Sequence, residues 1–223
     1  MLQRFGAAVL ALGVVIAAGQ VGATVLYNNP FDATTDVGNC VFNSTCAAVN
    51  SIPNDFAAQS FTLATGATVT SAKFTELDGL TAAAPTSANW RFYANASGLP
   101  GALLASGTGA AVSLSSAGEL DGSGQNVIHI YSFSVGPTGL APGTYFFALQ
   151  TITTDFNNRL PQGLATSGAA ESQNGGTTWA STYAGIISSV AVELDGSVVP
   201  EPATLALFGV GLGLLGLIRR RKG

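Results

Sequence analysis

The last 24 residues constrain this chain more than any other stretch. Pro200-Glu201-Pro202 leads into sixteen apolar or small residues, Ala203 to Ile218, and then into Arg219, Arg220, Arg221 and Lys222. As a helix rising about 1.5 Å per residue, the apolar run spans roughly 24 Å, short of the ~30 Å hydrocarbon core of a bilayer. Basic side chains can snorkel to the headgroups and recover part of that deficit. The positive-inside rule keeps the cluster in the cytoplasm, so everything before Pro200 is expected outside. The two prolines cannot carry the helix further and leave an extended, accessible boundary.

The tail, with Val199-Pro200-Glu201-Pro202, a Gly/Leu-rich segment and Arg219 to Lys222 in that order, resembles the PEP-CTERM sorting signal of bacterial surface proteins. The resemblance implies recognition by a membrane-embedded exosortase-type protease and cleavage near Pro200, Glu201 and Pro202. It also implies a transient single-pass anchor, followed by release or transfer to the cell surface. An ordinary membrane anchor is the alternative, although such an anchor needs no Pro-Glu-Pro.

The amino end agrees with that orientation. Arg4 supplies a positive start, Gly6 to Ala18 an uncharged apolar run, and Val21-Gly22-Ala23 a small-residue cleavage site. Residues 1–23 therefore read as a signal peptide removed by signal peptidase, with Thr24 as the new start; an uncleaved anchor is the alternative. Export places Cys40 and Cys46, the only two cysteines, in an oxidising compartment where close cysteines pair. They read as a local disulfide. A metal reading fails for them, because the single histidine, His129, is distant in sequence and no Cys-x-x-Cys is present.

Residues 24–199 remain as one ectodomain, and residues 200–223 as the sorting signal. The ectodomain carries eleven acidic against three basic side chains (Lys73, Arg91 and Arg159), a net charge of −8. That leaves no basic footprint for nucleic acid. No long 3.6-residue periodicity supports a helix before the tail. Short alternating runs instead predict strands at Thr24–Tyr27, Ala57–Leu63, Thr68–Leu77, Asn89–Ala94, Leu103–Ser106, Ala110–Leu114, Val127–Val135, Thr144–Thr151 and Ile186–Leu194. In the fourth run Trp90 and Phe92 share one face, while Asn89, Arg91 and Tyr93 share the other. In Thr68–Leu77, Val69, Ser71, Lys73 and Thr75 are expected opposite Thr70, Ala72, Phe74 and Glu76. Asp-Gly, Pro-Gly and Pro-Thr-Gly steps between the runs read as turns. The expected fold is all-β, a jelly-roll-like β-sandwich, with long loops from Asn28 to Phe56 and from Asp155 to Ala184. The order of these strands and turns is loosely similar to sandwich domains found upstream of PEP-CTERM tails.

Glu-Leu-Asp-Gly occurs three times, at Glu76, Glu119 and Glu193, with unequal spacing, and reads as a strand end entering a turn. Calcium is the sharper alternative, with Asp32, Asp36, Asp78, Asp121 and Asp155 as candidates; no other cofactor is suggested. Ser172-Gln173-Asn174-Gly175-Gly176-Thr177-Thr178-Trp179 resembles the Asp-box, with Asn174 in the Asp position, and a structural hairpin turn is expected there. His129 lies mid-strand and is expected to be a hydrogen-bonded structural residue, so no catalytic residue is assigned. Trp179 and Tyr183 in the long polar loop are the candidates for stacking on a sugar.

The sequence thus reads as a non-catalytic, exported envelope protein. The family resemblance implies a structural or adhesive role linked to extracellular polysaccharide or biofilm matrix. A carbohydrate-binding module is the alternative, and a glycoside-active enzyme stands third. For the cysteines, thiol alkylation of the exported protein should block neither Cys40 nor Cys46 until a reductant is added. Two freely alkylating thiols would rule out the disulfide.

Overall fold

The period-2 patterning resolves into two antiparallel sheets packed face to face. The computed structural model describes residues 23–31, 55–80, 84–120, 126–153, 158–159, 164–181 and 189–199, and no helix occurs among them. The first sheet runs β1 (Thr24–Asn29), β11 (Val192–Val198), β3 (Ala67–Gly79), β7 (Asn126–Leu140) and β6 (Ser113–Leu120). The two-residue β9 (Asn158–Arg159) pairs the end of β3. The second sheet runs β10 (Ala169–Ser172), β2 (Phe56–Leu63), β8 (Gly143–Ile152), β4 (Ser87–Ala96) and β5 (Leu99–Ala111). Strands alternate between the sheets from β1 to β4 and again from β7 to β8, which is how a jelly roll winds. The expected β-sandwich is therefore present. Residues 1–22 of the expected signal peptide, Cys40, Cys46, Tyr183 and the tail from Pro200 to Gly223 lie outside the described residues.

Aromatic residues fill the space between the sheets. Phe61, Trp90, Phe92 and Phe147 of the second sheet meet Val69, Phe74, Tyr131, Phe133 and Leu194 of the first, all buried. Phe133 stacks on Phe147 at 6.4 Å between ring centroids, and Tyr27 reaches Phe61 at 5.8 Å. Trp90 and Phe92 share the inner face, as their alternation predicts, while Tyr93 packs in a smaller cluster on the outer side.

Several boundaries depart from the sequence reading. A register shift between Val69 and Ser71 breaks the alternation of β3, so Val69 is buried in the same core as Ala72 and Phe74 instead of opposing them. Asp195-Gly196 lies inside β11, not in a turn, at a register shift where the chain passes very close to β3. A Cβ on Gly196 would come within 2.0 Å of the Thr68 carbonyl oxygen, so only glycine fits. Asp78-Gly79 and Pro137-Thr138-Gly139 are likewise absorbed into β3 and β7. The last strand begins at Val192, not Ile186. Val190 is held instead by side chains: its N–H donates to Gln59 Oε1 at 2.8 Å and its carbonyl accepts from Asn29 Nδ2 at 2.7 Å. The region from Asp155 to Ala184, read as one long loop, contains β9 and β10.

Phe147 is 1% exposed and touches both Phe92 and Phe133. Phe147→Ala should cost about 3–5 kcal/mol in a denaturant titration, by lost transfer energy and the cavity left behind. Leu120→Ser, at a half-exposed position, should change stability by less than about 0.5 kcal/mol.

Candidate functional site

The Asp-box-like sequence folds as a self-contained turn laid over the outer face of the second sheet. Asn174 supplies the oxygen an aspartate would: its Oδ1 accepts from the Thr177 and Thr178 N–H groups at 3.1 and 2.9 Å and from Ser172 Oγ at 3.0 Å. The Gly176 N–H donates to Ser172 Oγ at 2.7 Å. Gly175 and Gly176 adopt φ of 70° and 79°, which residues with a Cβ rarely do. The turn is docked by Arg91 of β4, whose Nη1 donates to the Gly175 carbonyl and, at 3.2 Å, to Tyr93 Oη. The guanidinium also sits 4.1 Å from the Phe56 ring centroid.

This docking gives the second sheet an additional small core. Phe56, Ala58, Tyr93, Phe146, Ala148 and Ala170 are buried there, with Leu99 and Trp179 packed against them. Trp179 meets Tyr93 edge to face at 5.2 Å and 75°. It is partly buried against this cluster, as a tryptophan packed by the structural turn would be, rather than standing free as a stacking platform. Its Nε1 donor is buried without an acceptor among the described residues.

Two carboxyl groups absent from the sequence reading lie at the start of this second sheet. The β2–β10 register sets Glu171 opposite Ala57, two residues along from Asp55. Burial pushes the Glu171 carboxyl up to about 7, opposed by a hydrogen bond from Gln173 Nε2 and helped by the nearby Asp55 charge. Burial likewise pushes Asp55 up to about 6. Glu171 adjoins the Asp-box-like sequence, but nothing in its own residue pattern distinguishes it from a surface glutamate.

A separate polar network occupies the space between the sheets. Glu76 and Asp78 share one face of β3, and the β3–β7 register places His129 opposite Glu76 and Tyr131 opposite Phe74. His129 Nδ1 and Tyr131 Oη each lie 2.5 Å from Asp78 Oδ2, and Thr151 of β8 donates across the sandwich to Glu76 Oε1 at 3.2 Å. Burial, together with the adjacent Asp78 and Glu76 carboxylates, holds the Tyr131 hydroxyl well above its ordinary range. His129 is thus hydrogen-bonded within a strand, as its flanking isoleucines suggest. Among the described residues no three histidine, cysteine, aspartate or glutamate side chains converge as metal ligands. Of the calcium candidates, Asp78 is engaged with His129 and Tyr131, while Asp32, Asp36, Asp121 and Asp155 lie outside the described residues.

The outer face of the first sheet carries a groove of about 650 Å³, lined by Asn28, Phe31, Lys73, Ser115, Ile130 and Glu193 among others. Lys73 bridges Glu193 and Asp195 along it, and the Glu193 contact raises the Lys73 ammonium above its usual range. Trp179 is not among the groove's lining residues, so the sugar-stacking candidate and this groove are distinct features.

The sorting residues adjoin the end of the fold. β11 closes at Val198, and the Val199 N–H donates to the Gly66 carbonyl at 2.8 Å. Residues 198–222 match the family model of the PEP-CTERM protein-sorting motif, a span that includes Pro200, Glu201, Pro202 and Arg219 to Lys222. No curated protein and no solved structure matches the chain significantly.

The raised carboxyls make stability depend on pH in a defined sense. Glu171 binds its proton more tightly folded, at about 7, than at its ordinary 4.5. Its contribution is therefore fully present below the ordinary value and is lost as pH rises through the folded one. Melting curves from pH 4 to pH 8 should show the wild type losing stability between about 4.5 and 7, with a flatter profile for Glu171→Gln. Parallel profiles for the two proteins would show that Glu171 is not proton-linked to folding.

Proposed function

We propose that this PEP-CTERM chain is a substrate of an exosortase-type membrane protease, and that its β-sandwich is the cargo delivered to the cell surface or medium. The carrying observation is the adjacency of motif and fold. The last strand ends at Val198, the motif begins at residue 198, and Val199 still bonds Gly66. Cleavage near Pro200-Glu201-Pro202 would sever the membrane segment without removing any strand of the sandwich. The signal peptide at residues 1–23, signal peptidase as its processing partner and a transient anchor at residues 203–218 complete this reading.

The delivered domain acts without catalysis, as a structural or adhesive component associated with extracellular polysaccharide. Support comes from its net charge of −8, which suits no polyanion, and from a groove that mixes an apolar floor with Asn28, Lys73, Ser115 and Glu193. A carbohydrate-binding module is the second reading, favoured by the same groove.

In a host carrying an exosortase, mass spectrometry of the surface or medium form should find no peptide containing Arg219 to Lys222. Replacing Pro200, Glu201 and Pro202 by alanine should leave a longer, membrane-retained chain. Recovery of intact Gly223 in the wild-type exported protein would reduce the tail to an anchor. The processed protein should also be retained by the host's own polysaccharide, and passage without retention would remove the matrix role.

A further inference from the structure

The groove on the first sheet runs across the strands rather than along one of them. Its walls take Asn28 from β1, Glu193 from β11, Lys73 from β3, Ile130 from β7 and Ser115 from β6, so it crosses five neighbouring strands. At about 4.8 Å from strand to strand, that is a run of roughly 19 Å. A cavity of about 650 Å³ drawn out over this length fits a linear chain of several sugars better than a single one.

The side chains along it mix apolar surface with hydrogen-bonding groups. Ile130 is 36% exposed, and Phe31, just beyond β1, is half-buried. Both offer surface to the C–H face of a sugar ring. Asn28 and Ser115 are exposed and carry an amide and a hydroxyl.

Charge then decides the class of sugar. Lys73 is the basic side chain of the groove, and its ammonium already contacts Glu193 Oε1 and Asp195 Oδ2. Arg91 lies on the other sheet, committed to Gly175 and Phe56. An anionic sugar would have to compete with two carboxylates for one ammonium, on a domain of net charge −8. A cationic sugar fares no better. The Lys73 side chain is 37% exposed against 21% for Glu193 and 13% for Asp195, so the ammonium is the first charge that an incoming ligand meets. A hydroxyl avoids both conflicts, since it can accept from the ammonium or donate to a carboxylate without displacing either.

We propose, resting on the polysaccharide role given above, that this groove binds an uncharged polysaccharide chain laid across the five strands. Asn28, Ser115 and the Lys73–Glu193 pair hold its hydroxyls, and Phe31 and Ile130 lie against its ring faces.

The test separates the host's polysaccharide by charge into uncharged, anionic and cationic fractions, immobilises each, and measures retention of the exported protein. The uncharged fraction should retain it best. That retention should hold from about 0.1 M to about 1 M salt, over which the screening length falls from about 10 Å to about 3 Å. Asn28→Ala with Ser115→Ala should weaken it at least about tenfold at an unchanged melting temperature. Leu103→Ser, at an exposed site on the second sheet, should leave it intact. Retention by a charged fraction equal to or above that by the uncharged one would leave the matrix role standing and overturn the ligand class, as would retention that fades with salt. Retention indifferent to the double variant, or lost with Leu103→Ser, would overturn the groove as the site. Retention by none of the three fractions would remove the matrix role itself, and the ligand with it.

Discussion

Aromatic packing between the two sheets is the interaction on which the rest of the molecule depends. Phe133 on Phe147 and Tyr27 on Phe61 join one sheet to the other, and Phe74, Tyr131, Phe92 and Trp90 extend the same layer. The ectodomain has few charges and many small residues, so most of its hydrophobic stabilisation must come from these large side chains. The jelly-roll winding follows from the same need, since each sheet has one apolar face that must be covered by the other.

The second sheet goes further and buries part of its outer face. Phe146 and Phe147 are adjacent on β8 and both are 1% exposed, which is possible only because the segment carrying Asn174 and Trp179 lies over Phe146. Arg91 ties that segment down by a carbonyl contact and a ring contact at once, a combination suited to its planar, multi-donor guanidinium. A lysine there would keep the charge but lose the fork and the stacking plane. The cost of covering this face falls on Glu171 and Asp55, whose carboxyls are pushed toward the neutral form.

The sequence made the alternating strands legible because alternation is a local property. β2, β4 and β8 lie within two residues of their expected bounds, and Trp90 and Phe92 share the inner face. What it concealed was set by distant partners. The shift after Val69 exists because β3 must satisfy β7 and β11 together, and Gly196 sits in a strand because β3 approaches too closely for a side chain. Val190 precedes β11, and there Asn29 and Gln59 take its backbone groups. The Asp-box-like turn was legible down to the role of Asn174, since its bonds run within a few residues. The burial of Glu171 was not, since it depends on β2. The sorting tail was the most legible part, because its parts act through composition and order rather than through tertiary contacts.

The position of β11 links the sandwich to the tail that follows it. β1 pairs with no described strand except β11, through contacts such as Thr24 with Gly196, and β11 in turn separates β1 from β3. The first strand therefore cannot join its sheet until the last strand, immediately before Pro200, is in place. Pairing between the two extremes of a chain closes a large loop and comes late in folding. A chain exported amino end first would complete this sheet only when the residues next to Pro200 had emerged. A cut within β11 would unpair β1 as well, whereas a cut after Val199 leaves every ladder intact. The Pro-Glu-Pro boundary is thus the first place beyond the described strands where the chain can be severed without loss of a strand.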